Sequence, residues 1–233
     1  MIQSFTLAEL VKAKPEAAPI LEKYDLDFCC KGKMKLSDQV KNEEQLKAVS
    51  AELEQLFQEK EHHFMDADTM SLSELIDYIL HSHHSYVKTS MPAIHAHLEK
   101  VAYKHGAHHP EMIKVFELFS GIRAELEHHM MKEELVLFPA IKQLEYDFKH
   151  GQKNIDIQMI AMPVRVMEAE HNSAGNALAE IRQLTNHYSI PDGACMTFAL
   201  SLEELKKFEE DLHLHVHLEN NTLFPRAIAL FEN

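Results

Sequence analysis

Apolar residues recur at steps of three and four through most of the chain, the spacing of helices that bury one face. Residues 1 to about 60 read as a small helical unit. Pro15 and Pro19 punctuate its start, and Gly32 marks a turn after Phe28, Cys29, Cys30 and Lys31. An amphipathic helix follows from Leu46 to Phe57, with Leu46, Val49, Leu53, Leu56 and Phe57 on one side. The polar stretch after it is a linker, over residues 61 to 72. From residue 73 to 233 the pattern predicts four long helices. The first covers Ser73 to Tyr103 and opens on a capping box, Ser71 with Glu74. The second runs from Glu111 to Phe148, with a kink at Pro139. The third spans Met162 to Asn186, and the fourth follows a turn at Ser189 to Gly193. The fold class is all-α: a four-helix bundle behind a small helical domain.

The apolar seams are interrupted at matched places. In the second long helix the seam reads Val115, Phe119, Ile122, Leu126, His129, Glu133, Val136, Ala140. In the fourth it reads Phe198, Ser201, Leu205, Phe208, Leu212, His215, Glu219, Thr222. His-x₃-Glu-x₃-Leu-Phe-Pro thus occurs twice, 86 residues apart (129 to 215). Each of the other two seams admits one histidine, His84 and His171. The intervals of 45 (84 to 129) and 44 (171 to 215) make the domain a doubled helical hairpin. In the first hairpin His84 and His129 stand at comparable distances from the turn, so within about one helical turn of the same level. The second hairpin fits less well.

An ionised carboxylate in an apolar seam costs several kcal/mol unless it is paired or holds a metal. Two glutamates and four histidines at one depth make a poor core without a cation, and a purely ionic network is the competing reading. Six such groups are too many for one ordinary first-row ion. Shared between two ions with both carboxylates bridging, they leave open positions for water, an oxo group or a small diatomic. Nitrogen and oxygen donors without thiolate suit iron or manganese, while imidazole also suits zinc, copper and nickel.

Composition narrows the setting. A net charge of −14 argues against nucleic acid and anionic membranes as partners. No apolar run approaches the roughly 20 residues that span a bilayer, and the first residues show no signal peptide. Three cysteines, two of them adjacent, are no secreted disulfide framework, so a cytoplasmic location is expected. Eighteen histidines exceed what one site can use. His62, His63, His108, His109, His150 and His187 lie in polar stretches and are expected at the surface. His81, His105, His213 and His217 are expected to be peripheral, with His213 and His217 pointing away from the ligand face. Cys29 and Cys30 read either as packed thiols or as a pair handling redox chemistry, nitric oxide or transiently held iron, with Lys31 and Lys33 favouring the thiolate. Cys195 has no partner in view and is expected to pack. Met91 and Met167 are core filler, and Glu170 is either a carboxylate behind a ligand or part of a solvated face.

The segments Asp27 to Lys33, His129 to Glu134, Glu168 to His171 and His215 to Pro225 together resemble the repair-of-iron-centres family. These are bacterial di-iron proteins with a hemerythrin-like four-helix domain behind a small N-terminal domain. The resemblance covers nearly the whole chain and implies His84, His129, Glu133, His171, His215 and Glu219 as ligands of two iron ions, oxo- and carboxylate-bridged. It implies repair of iron–sulfur clusters after nitrosative or oxidative stress, by iron donation to damaged or apo iron–sulfur proteins, and a homodimer. Two other functions share the same centre: nitric oxide reduction, and oxygen or nitric oxide binding or sensing as in simple hemerythrins. The N-terminal cysteine domain argues against the last.

Overall fold

The computed structural model describes residues 2–58 and 67–232. Residues 61–66 of the expected linker, with His62 and His63, lie outside them. Among the described residues there are eight helices, and β pairing is confined to one isolated bridge between Thr6 and Lys35.

Four short helices come first: α1 (Leu7–Ala13), α2 (Ala17–Lys23), α3 (Leu36–Gln39) and α4 (Glu43–Gln58). Thr6 and Glu9 form a capping box on α1. The N–H groups of Leu7 and Ala8 donate to the carbonyls of Met34 and Gly32, so the Cys29–Cys30 loop closes over the start of that helix. Gly32 is obligatory there: a Cβ would sit 2.4 Å from the Phe28 oxygen and 2.7 Å from Asn221 Oδ1. On α4, Val49 and Leu53 are buried, Leu46 and Leu56 pack partly, and Phe57, expected on the buried side, is exposed.

Four long helices form an up-down bundle. Helix α5 covers residues 72–105, α6 residues 111–150, α7 Gln158–Leu184 and α8 residues 196–232. Each neighbour runs antiparallel, as the side-chain pairs show: His83 with Asp211 but His97 with Glu204, and His129 with Glu170 but Ser173 with Glu125. The Ser71 capping box forms as expected, and buried Glu145 on α6 accepts from the N–H groups of Leu72 and Ser73, tying the start of α5 to the end of α6. Helix α7 begins at Gln158, ahead of Pro163 and earlier than its apolar pattern predicts, and Asp156 accepts from the Gln158 N–H just before it.

A kink is expected at Pro139 of α6, and the backbone just ahead of it departs from the regular α-helix. The π-helical turn Glu133–Leu137 absorbs Pro139, and Glu219–Leu223 does the same before Pro225. A proline ring crowds the carbonyl four residues back, and a wider turn relieves that crowding. The third π turn, Leu80–His84, precedes Ser85, whose hydroxyl also donates to the Leu80 carbonyl. Each π turn adds a residue and moves the seam by one. Val136, expected in the core, is 54% exposed, and Leu137 takes its place; likewise Ile79 is buried where Leu80 is only partly so.

The apolar interior falls into two clusters. One holds Val87, Phe119, Leu126, Ala174, Phe208 and Val216 and runs on into Leu7, Leu21, Phe28 and Leu53 of the short helices. The other holds Ile79, Leu137, Phe138, Met167, Leu223 and Phe224. On every long helix the seam histidines and glutamates stand between the two.

Candidate metal centre

All six predicted groups meet in that dividing layer. Glu133 and Glu219 are 0% exposed, and His84, His129, His171 and His215 are buried with them. The oxygens of each carboxylate are divided. Glu133 Oε2 lies 3.5 Å from His84 Nε2, and Oε1 lies 3.3 Å from His129 Nε2. Glu219 Oε1 lies 3.1 Å from His215 Nε2, and Oε2 lies 3.2 Å from His171 Nε2. Two pockets result, His84–His215 and His129–His171, and both glutamates belong to each, with the ligand atoms of a pocket all within 4.8 Å of one another.

Without a cation the layer is poorly satisfied. Among the described residues, His84 Nε2, both oxygens of Glu133 and Glu219 Oε2 are buried with no hydrogen-bond partner, an arrangement that native interiors rarely tolerate. His129 and His171 aim their Nε2 atoms at each other across 3.0 Å. The residues present therefore fit metal ions.

The opposite edges of three of the four rings are held in place, while His215 Nδ1 is buried with no hydrogen-bond partner among the described residues. His84 Nδ1 lies 2.7 Å from Glu134, which Lys88 also grips. His129 Nδ1 lies 2.9 Å from Glu170, which pairs with Lys132. His171 Nδ1 lies 2.9 Å from Asn220 Oδ1. Such partners fix the ring orientation and leave Nε2 free to bind. Of these, only Glu170 stood out in the sequence. Glu134 and Asn220 each follow a seam glutamate directly, and that adjacency is the signal that could have found them. His83, next to His84, was also missed. It is buried, stacks on His215 at 5.6 Å and pairs with Asp211 at 3.0 Å.

Burial opposes charge on His84 and His129, but Glu133 and Glu219 outweigh it, raising His84 to about 10 and His129 to about 9. Burial and the other carboxylate oppose ionisation of Glu133, and its histidines hold it below the usual range; burial likewise opposes ionisation of Glu219, and its histidines hold it well below. Burial lowers His215. Two imidazoliums thus balance two carboxylates in the metal-free layer. Both raised histidines are protonated at neutral pH, so metal must displace those protons and its affinity falls as pH falls. Loading the metal-free protein near pH 7 is expected to release about two protons from these histidines, read by calorimetry in buffers of different ionisation enthalpy. Uptake with no proton release would contradict this charge state.

The remaining residues divide. His81, His108, His150 and His187 are exposed, as expected. His109 is only half-buried, edge-on to Phe198. His213 and His217 do point away from the centre, yet they are not peripheral. Both pack against the Phe28 ring, His213 binds Glu22 at 2.8 Å, and burial takes His217 down to about 4. Cys195 is exposed rather than packed, 3.2 Å from His105 Nε2. Cys29 is buried and Cys30 half-buried, both as free thiols with sulfurs 3.7 Å apart. Lys31 and Lys33 do not make Cys29 a thiolate. The hydrogen bond with Cys30, burial and the Asp27 carboxylate push it well up.

No helix among the described residues is long and apolar enough to cross a membrane. Residues 75–227 match the hemerythrin HHE cation-binding domain family, and residues 3–57 match a domain described only as of unknown function (DUF542). The chain is 37% identical over 225 residues to a probable iron-sulfur cluster repair protein of Haemophilus influenzae, covering 95% of this chain and 96% of that one. It is 36% identical to the iron-sulfur cluster repair protein YtfE of Citrobacter koseri and 35% to that of Escherichia coli, each over 225 residues and 96% of both chains.

Proposed function

Because the chain belongs to the hemerythrin HHE family and, over nearly its whole length, to the iron–sulfur cluster repair proteins, we propose that it repairs damaged iron–sulfur clusters by donating iron from a two-iron centre. His84 and His215 would hold one iron, and His129 and His171 the other. Glu133 and Glu219 would bridge them. The observation that carries this reading is the division of each carboxylate between the two histidine pairs.

Ferrous iron stands low in the affinity order, and here no thiolate would anchor it. The residues around it hold the histidine rings in place, exclude water from the layer and take up protons. His84 and His129 accept a proton as the ion leaves, which keeps the emptied layer neutral and lowers the cost of giving the iron up. The recipients are damaged or apo iron–sulfur proteins. The reading assigns the bundle, residues 73–233, to iron storage, and the N-terminal unit, residues 1–60, to the thiol chemistry of Cys29 and Cys30. It is supported by the separate family matches to the two parts. We also read the active form as a homodimer.

The test is anaerobic incubation of the iron-loaded protein with an apo-ferredoxin and sulfide. Cluster absorption should grow in step with loss of iron from the donor. Equal repair by protein carrying no iron would overturn the donor reading. Nitrous oxide formed on turnover with nitric oxide would favour the reductase instead.

A further inference from the structure

The loop beside the bundle carries a second group of metal-binding side chains, with different chemistry. Asp27 Oδ1, Cys29 Sγ and Cys30 Sγ lie within 4.8 Å of one another. The two sulfurs are 3.7 Å apart, and Cys29 Sγ is 3.2 Å from Asp27 Oδ1. A tetrahedral ion with sulfur bonds of about 2.3 Å spans about 3.8 Å between its sulfurs, and about 3.5 Å from sulfur to a carboxylate oxygen. The thiols already stand at that separation, and Asp27 Oδ1 is within a few tenths of an ångström of it on the Cys29 side.

The loop is built to hold this arrangement. Asp27 Oδ1 accepts from the N–H of Cys30 at 2.9 Å, and Asn221 Nδ2 donates to the carbonyls of Phe28 and Cys29 at 3.3 and 3.0 Å. Gly32 lets the backbone press against Asn221 with no room for a side chain. The thiols line a cavity of about 520 Å³ between the loop and α7, bordered by Asn172, Gly175 and Asn176. Two of the cations on its wall are paired with carboxylates. Arg182 reaches Asp25 and Glu209, and Lys41 reaches Asp25.

We propose that Asp27, Cys29 and Cys30 form a second cation site, which takes a borderline divalent ion of the ferrous or zinc class with its fourth position open to the cavity. Two thiolates favour such an ion over magnesium or calcium, and the carboxylate favours it over cuprous copper. On binding, both thiols lose their protons to solvent, and the ion replaces the S–H that now joins Cys29 to Asp27. The buried centre offers only nitrogen and oxygen, so the two sites differ in kind. This assignment does not depend on whether the buried centre gives up iron.

The test is anaerobic titration of the iron-loaded, reduced protein with cobalt(II), following thiolate-to-cobalt charge transfer. An ion in the buried centre cannot produce that band. One equivalent should raise it, Cys29→Ser and Cys30→Ser should remove it, and Cys195→Ser should leave it unchanged. Asp27→Asn keeps both thiols and tests the site without touching sulfur. It should weaken cobalt binding at least the about tenfold that loss of an outer partner costs a metal site. No band at stoichiometric cobalt, a band that survives loss of either loop cysteine, a band that needs Cys195, or full affinity in Asp27→Asn would each overturn the proposal.

Discussion

Glu219→Leu is expected to empty both metal pockets at once, and Glu133→Leu to do the same. Each glutamate presents one oxygen to the His84–His215 pocket and the other to the His129–His171 pocket, so removing either takes a donor from both. Iron per chain, measured by elemental analysis, should fall to near background, and cluster repair should be lost with it. Removing one partner of a buried ion pair leaves the other charge uncompensated and costs about 3–5 kcal/mol, so the metal-free variant should melt below the metal-free parent. Circular dichroism at the assay temperature separates iron loss in a folded variant from unfolding. His171→Ala gives the contrast, because it removes a donor from one pocket only and should keep the iron of the other. If Glu219→Leu retained half its iron, the bridging role would fail. If it retained all of it, the centre would lie elsewhere.

The second large effect is expected at Phe28→Ala. Phe28 is 1% exposed and is the largest side chain that the cysteine loop places in the core shared with the bundle, beside Leu26 and Cys29. Its ring meets His213 and His217 edge-on at 6.0 and 5.7 Å, and its carbonyl accepts from Asn221. Truncating a buried phenylalanine costs about 3–5 kcal/mol through lost transfer energy and the cavity left behind. For a chain of this length that lowers the melting temperature by about 6–20 °C. Since the same side chain pins the loop, Cys29 and Cys30 should also react faster with a thiol reagent. A melting temperature within about 2 °C of the parent would mean that the short helices are not fastened to the bundle through this residue.

Helical periodicity carries far in this chain because a buried seam repeats every three or four residues whatever its partner is. Val115, Phe119, Leu126, Val87, Leu178 and Leu205 could be placed by counting, and counting put His84, His129, His171 and His215 at the same seam positions as apolar residues. It failed one turn past Glu133, where the π turn shifts the phase so that Val136 faces solvent and Leu137 the core; one turn past Glu219, Thr222 stays buried beside Leu223. Periodicity assumes a constant number of residues per turn, and an inserted residue breaks that assumption. The Phe-Pro pairs after Glu133 and Glu219 marked the places without saying how the strain would be relieved.

The residues beside the seam were harder to read. Glu134, Glu170, Asn220 and His83 are immediate neighbours of seam residues, and adjacent residues on a helix point about 100° apart. What each touches depends on which helix stands alongside. Glu170 follows Ala169 and precedes His171, yet it serves His129 on another helix. His213 and His217 flank His215 and turn outward, where a surface reading was natural until the N-terminal unit covered them. The sequence left Cys29 between a packed thiol and one that nearby lysines favour as thiolate, and the Cys30 thiol, burial and Asp27 push it toward the thiol.

The linear order of residues determined that this chain is helical, that four of its helices bury one stripe each, and that four imidazoles and two carboxylates share those stripes. These are matters of local spacing, set by the geometry of a single helix. Only the tertiary structure decided which oxygen faces which histidine, which outer groups steady the rings, and that the cysteine loop rests on Asn221 one residue from the partner of His171. Those are contacts between elements far apart in the chain, and packing settles them through the register at which one helix meets the next.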